Sequence, residues 1–132
     1  MLNSIEAFSP DGRHLVEFLN TVLRAEVEIW GDPVDAILLR TIHLGEEEQR
    51  LYDVTSLATV TAMTVPTTAR RVSDLINRGM IIRHRDGRSF RLALSEDCRQ
   101  RLSGSLDTWC VRARQMLADD DDPPVPLRSE TQ

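Results

Sequence analysis

The side chains with the plainest chemistry in this sequence are arginines and hydroxyls gathered in one stretch. Thr67, Thr68, Arg70, Arg71 and Arg78 stand in its first half; Arg85, Arg88 and Ser89 stand in its second. A guanidinium is always charged and presents a planar fork of donors that matches a phosphate or the edge of guanine. Hydroxyls and free backbone N–H groups in the first turn of a helix can meet phosphate oxygens. The chemistry of this set is therefore recognition of a polyanion, and duplex DNA satisfies both its charged and its base-reading parts. Thr68 has a second reading as a packing residue at the turn. Arg78 suits phosphate or solvent better than a base.

The stretch that must position them is VPTTARRVSDLINRGMIIRHRDGRSFRLAL, Val65–Leu94. Its first half reads as a helix. Pro66 suits the first turn because its missing N–H costs nothing there, and Thr64 can cap. Val65, Ala69, Val72, Ile76 and Gly79 recur at helical spacing as one apolar face. Thr67, Arg70, Arg71, Asp74 and Arg78 fall on the other, with Asp74 four residues from each of Arg70 and Arg78. Gly79 ends the helix, since glycine takes the left-handed conformation without strain. Asp86-Gly87 predicts a two-residue hairpin loop of type I′. Folding about it pairs Arg85 with Arg88 and Ile81 with Leu92, with Ile81, Phe90, Leu92 and Leu94 on one face. A helix with an arginine face followed by a basic-tipped hairpin is the outline of a winged helix-turn-helix. Its recognition helix, about 65–78, fits a major groove, and its wing, 83–94, reaches flanking DNA.

The net charge of −5 runs against that reading until it is divided. Residues 1–50 carry four arginines against ten acids, a balance of −6. Residues 51–118 carry eleven against six, a balance of +5, and residues 119–132 one against five, −4. A local basic patch, not the global charge, sets phosphate attraction. The chain has no lysine; a GC-rich genome accounts for that more simply than selection for DNA contact. His14, His43 and His84 show no metal spacing. Cys98 and Cys110 lie on one helix, cannot meet in a disulfide there, and read as buried thiols. No glycine-rich phosphate loop and no nucleophile–base pattern is present, so the expectation is a protein that is not an enzyme and uses no cofactor. No apolar run reaches transmembrane length and no signal peptide is evident, which predicts a cytoplasmic protein without membrane contact.

The rest of the chain supplies the frame. Residues 1–10 read as loosely ordered, followed by a helix from about His14 to Trp30. Leu15, Phe18, Leu19, Val22 and Leu23 form its stripe, widened by Val16, Val27 and Trp30. Asp32 then caps and Pro33 starts a second helix that Gly45 stops after Leu44, with Val34, Ile37, Leu38 and Ile42 inward. Glu46–Arg50 reads as a solvated connector. Tyr52-Asp53-Val54 can add a third strand beside the wing, and Thr55 can cap a short helix, Ser56–Ala62, with Leu57, Ala58 and Val60 available to the core. Ser95-Glu96-Asp97 starts a last helix running to about Leu117. Its Leu102, Leu106, Trp109, Ala113 and Met116 step in a coiled-coil-like seam that either a second subunit or the first helix could cover. The fold class predicted is mainly α: a winged helix-turn-helix with a two- or three-stranded wing, flanked by dimerisation helices 14–44 and 96–118. Residues 1–118 form one domain, with the helix-turn-helix and wing at 53–95, and 119–132 form a disordered acidic tail.

The order of these elements resembles the MarR family of bacterial transcriptional regulators over roughly residues 14–118. The likeness is closest at Val54–Ser95. Leu57, Pro66-Thr67-Thr68-Ala69, Arg71, Leu75, Gly79-Met80-Ile81, Arg83, Asp86-Gly87-Arg88 and Leu94-Ser95 stand where that family has its helix-turn-helix core, glycine break and wing. The resemblance implies a homodimer with intertwined terminal helices. It also implies recognition helices in successive major grooves and wings on flanking DNA. Several members release DNA when a small, often aromatic, effector binds. The hairpin here is shorter than that family's wing, and one C-terminal helix stands where two are usual.

Arg71, at the centre of the recognition helix and matching the family, is the leading base or phosphate contact; Arg70, Arg85 and Arg88 follow. Arg83 reads as structural, paired to an acid, and His84 as a surface residue. Trp30 and Trp109 suit core packing better than an effector pocket. The alternative to a sequence-specific, double-stranded DNA-binding regulator is a winged-helix protein-interaction module without DNA binding.

Overall fold

A computed structural model describes residues 10–121. The expectations for residues 1–9 and for 122–132 lie outside that range. Helices α1 (Pro10–Trp30), α2 (Pro33–Glu47), α3 (Val54–Val60) and α4 (Val65–Asn77) precede strands β1 (Ile81–Asp86) and β2 (Ser89–Leu94); α5 (Glu96–Asp121) follows. The architecture is thus a mainly helical winged helix. The first helix starts four residues before His14, at a proline suited to that place. The last runs three residues into the stretch read as tail. Among the described residues no helix is long and apolar enough to cross a membrane.

Capping explains most boundaries. Asp32 Oδ1 accepts from Val34 N (2.7 Å) and Asp35 N (3.2 Å) and starts α2. Asp53, not Thr55, caps α3: its carboxylate accepts from Ser56 N at 2.8 Å, and Ser56 Oγ accepts from Asp53 N at 3.1 Å. That reciprocal box turns the chain into a helix at Val54. The strand read at Tyr52–Val54 is therefore absent. One backbone bond, Leu92 N to Tyr52 O at 2.8 Å, joins this segment to the wing, and the sheet has two strands.

Three helices end in the same way, and glycine marks only one. After α4, Gly79 N donates to Ile76 O and Met80 N to Leu75 O, both at 2.9 Å, with Gly79 at φ 77°. This is a Schellman closure. Ala62 (φ 59°) closes α3 and Gln49 (φ 56°) closes α2 through the same two bonds. Gly45 does not stop α2; it lies buried within that helix. A Cβ there would stand 2.9 Å from the Tyr52 ring and 3.0 Å from Arg50 O.

The hairpin register also differs from the expected one. Ile81 pairs with Leu94, Arg85 with Phe90 and Asp86 with Ser89, leaving Gly87-Arg88 as the loop. Gly87 has φ 64°, and Arg88 is not in the left-handed region. Glycine at the first loop position fits a type II′ turn, whereas type I′ needs positive φ at both. The pairing shifts by two residues, so each side chain keeps its expected face.

The core joins Trp30, Leu38, Leu39, Ile42, Leu57, Val72, Leu75, Ile81, Leu92, Leu94, Cys98 and Leu102. Phe90 shares a face with Leu92 and Leu94 but projects beyond the core and is exposed. Cys98 is buried, which pushes its thiol up to about 11; Cys110, expected to be buried, is exposed.

Glu46 is not a solvated connector residue. Its carboxylate accepts from Leu94 N (2.9 Å) and from Arg99 Nη2 (2.7 Å), tying α2 to the end of β2 and the start of α5. Burial alone would raise its pKa, but bonds from Arg99, Leu94 N and His43 outweigh burial and lower it.

Candidate nucleic-acid interface

Helix α4 is rotated from the face its spacing suggests. Thr68, Val72 and Leu75 are buried, whereas Val65 and Ala69 are exposed. The outer face is Val65, Pro66, Ala69, Arg70, Ser73, Asp74, Asn77 and Arg78. Leu75, not counted in the expected apolar face, carries the packing that Val65 and Ala69 do not.

This rotation sorts the expected contact residues. Arg70 is exposed, and no described carboxylate pairs with it. Thr67 is half-buried in the first turn, its N–H bonded to the cap Thr64 at 3.3 Å. Thr68 is fully buried and its hydroxyl donates to Thr64 O at 2.8 Å. It therefore packs the turn and is withdrawn from the contact set.

Arg71 is not on the open face. It is half-buried, with Nη1 at 3.0 Å from Asp32 Oδ1 and 3.4 Å from Asp35 Oδ1. Burial opposes its charge, but these two carboxylates raise its pKa above the ordinary value. Arg78 Nη1 stands 3.3 Å from Asp35 Oδ2 and 3.7 Å from Asp74 Oδ2, and its Nη2 donates to Trp30 O at 3.3 Å. Both guanidiniums are committed to protein acceptors at the joint between α1 and α2. Asp35 was not marked by sequence reasoning. The available signal was an acid among Ala36, Leu38 and Leu39 on the inner face of α2, where a carboxylate requires a partner.

The hairpin carries a second basic group. Arg85 and Arg83 place their guanidiniums 5.6 and 5.8 Å from the centre of the Phe90 ring. Arg83, expected to pair with an acid, stacks on an aromatic ring instead, and the ring holds both cations on one face of the hairpin. Arg88 is exposed in the loop and is without a described partner. Ser89 is exposed, its hydroxyl donating to Asp86 O at 3.2 Å. The other face carries His84 and Arg91, the latter paired to Asp53 and Asp86 at 3.4 Å. Beside it, a groove of about 600 Å³ is lined by Arg50, His84, Arg85 and Arg91.

Two further features lie away from these arginines. On α1, Leu15, Val16, Leu19, Leu23 and Val27 are exposed, as are Val111 and Leu117 on α5. The adjoining side of α1 meets the α5 seam within the same chain, with Leu19 at the boundary of the two. There an apolar cavity of about 210 Å³ is lined by Phe18, Val22, Trp30, Leu102, Leu106 and Trp109. At its margin Glu26 is buried against Arg40, Oε2 to Nη1 3.1 Å. Burial pushes the Glu26 pKa up despite the opposing charge of Arg40.

No family model matches the chain, and no curated protein matches it in sequence. Solved structures do match in shape. MepR, a transcription regulator of the Staphylococcus aureus multidrug efflux pump MepA, aligns with a TM-score of 0.65 at 13% identity, covering 87% of this chain and 82% of its own. A MarR family protein from Bacillus stearothermophilus aligns at 0.66 and 16%, covering 89% and 81%. A Listeria innocua protein of unknown function aligns at 0.66 and 20%, covering 99% and 90%. The fold is a MarR-like winged helix.

Proposed function

We propose that this protein is a transcriptional regulator that binds double-stranded DNA sequence-specifically as a homodimer. The observation that carries the reading is the division of arginines across α4 and the hairpin. Arg71, Arg78 and Arg91 are neutralised by carboxylates, whereas Arg70, Arg83, Arg85 and Arg88 have none among the described residues. Charges left unpaired on the recognition helix and wing suit phosphate contact, where each neutralised phosphate releases counterions. Arg70, with Thr67 beside it, serves α4 in the major groove; Arg85, Arg88 and Ser89 serve the wing. Ser73 and Asn77, on the same outer face as Arg70, are placed to read base edges.

The exposed apolar row of α1 supports the dimer. Leu15, Leu19, Leu23 and Val27 repeat every fourth residue along one helix face, and an apolar row of that extent favours burial against a second copy. The cavity between α1 and α5 supports an effector. At about 210 Å³ it suits one aromatic ring better than a drug-sized molecule, since ligand pockets commonly exceed roughly 300 Å³. A solved MepR structure holds ethidium bromide. The site of action is the cytoplasm.

Selection of bound sites from a random duplex library tests the reading. The expected product is a palindrome whose half-sites lie about one helical turn apart. Failure to retain any duplex at low salt would favour the protein-interaction module instead.

A further inference from the structure

We infer that Asp35 is a positioning residue for DNA recognition: it clamps Arg71 and Arg78, two turns apart on α4, to the joint between α1 and α2. The inference rests on the DNA-binding reading above and concerns what sets the angle of the recognition helix.

Asp35 is 5% exposed and uses both carboxylate oxygens. Oδ1 receives Arg71 Nη1 at 3.4 Å and Oδ2 receives Arg78 Nη1 at 3.3 Å. Two more acceptors come from the same joint, Asp32 Oδ1 to Arg71 (3.0 Å) and Trp30 O to Arg78 (3.3 Å). Four bonds therefore run from one side of α4 to residues 30–35. The apolar anchors of α4, Val72 and Leu75, are non-directional and resist rotation about the helix axis weakly. Charge-assisted bonds from rigid guanidinium forks are directional. Arg70, Ser73 and Asn77 stand on the outer face, so their aim depends on that rotation.

The joint is also the end of α1. Gly31 takes φ 88° there. The Trp30 ring lies in the core, with the Arg101 guanidinium 4.8 Å from its centre, while the Trp30 carbonyl holds Arg78. The clamp thus refers the recognition helix to the helix whose outer row faces the proposed second subunit.

Positioning and simple charge make opposite predictions. Removing the Asp35 charge takes one carboxylate from each of two guanidiniums, leaving Arg71 with Asp32 and Arg78 with Asp74, and by electrostatics alone every duplex would be bound more tightly. The test compares wild type with Asp35→Asn on two duplexes at fixed salt, one recovered by library selection and one of random sequence. The expected result is random-duplex affinity equal to wild type or higher, with affinity for the selected duplex about tenfold lower. Arg78→Ala, at a half-exposed position that tolerates truncation, is expected to lose selected-duplex affinity without changing the salt slope on random DNA. If Asp35→Asn does not fold, Arg78→Ala decides. Undiminished discrimination in either variant overturns the inference and leaves DNA binding standing, as does a salt slope reduced by about one in Arg78→Ala, which marks a phosphate contact. Wild type that retains no duplex overturns both.

Discussion

Arg71 Nη1 lies 3.0 Å from Asp32 Oδ1, joining α4 to the cap of α2 across 39 residues of sequence. The same oxygen accepts the N–H groups of Val34 and Asp35. Burial works against the Asp32 charge, but the bonds from Asp35 N, Val34 N and Arg71 prevail and its pKa is lowered. Its charge therefore stabilises the fold above the ordinary carboxylate pKa, and that contribution fades as pH falls through the lowered folded value.

Asp32→Asn isolates this charge, because asparagine caps a helix about as well as aspartate. The pair is partly exposed, so solvent screening limits the loss to about 0.5–1 kcal/mol near neutral pH. Denaturant titration at two pH values checks it: the gap between wild type and variant should close in acid.

Glu46 and Glu26 should respond to pH with opposite signs. Glu46 has a lowered pKa, so its contribution is present above the ordinary carboxylate range and is lost in acid. Glu26 has a raised pKa, so the folded state holds its proton longer and stability falls as pH climbs from the ordinary value through the raised one. Glu46→Gln should cost about 2 kcal/mol at neutral pH, because it weakens bonds to Leu94 N and Arg99. Glu26→Gln should cost less and flatten the fall in stability with rising pH. Thermal melts run below and above the ordinary glutamate pKa of about 4.3 separate the two: the Glu46 effect fades on the acid side and the Glu26 effect grows on the other.

Helix ends show how much of the fold was legible. The cap at Asp32, the Pro33 start, the Gly79 stop and the Ser95 start could all be read, because each rests on a residue type tied to one backbone geometry. Gln49 and Ala62 close helices at φ 56° and 59°, where neither residue type announces that conformation. Without a glycine at 49, the sequence points to the nearest one, Gly45, as the stop. Its actual role is to admit the Tyr52 ring. The contact set was legible in kind but not in orientation. Spacing identified a helix with arginines, yet a small rotation that buries Leu75 and Thr68 in place of Val65 and Ala69 turned Arg71 inward and left Arg70 outward. Asp35 and Glu46 were missed because their partners lie 36 or more residues away.

Ala62→Gly should therefore stabilise the protein. An L-residue in the left-handed region costs about 1 kcal/mol or more, and glycine relieves it, less a part for added freedom in the unfolded chain. A rise in melting temperature of a few degrees is expected in calorimetry, roughly what 1 kcal/mol confers on a domain of this size.

Gly45→Ala sets two effects against each other. Alanine is the better helix former by about 1 kcal/mol. Its Cβ, however, would meet Arg50 O at 3.0 Å and the Tyr52 ring at 2.9 Å, and overpacking of that kind costs about 1–3 kcal/mol. Because one of the opposing atoms is backbone, we expect a net loss, read as a lower denaturant midpoint.

The central claim is that α4 and the hairpin hold duplex DNA through Arg70 and Arg88, and the salt dependence of binding tests it most directly. Affinity of the wild type should fall linearly on a log–log plot against salt. In the Arg70→Ala/Arg88→Ala variant the slope should shrink by about one for each guanidinium removed from the bound species, with the fold intact by circular dichroism. A wild type that retains no duplex at low salt, or a double variant with an unchanged slope, would contradict the account.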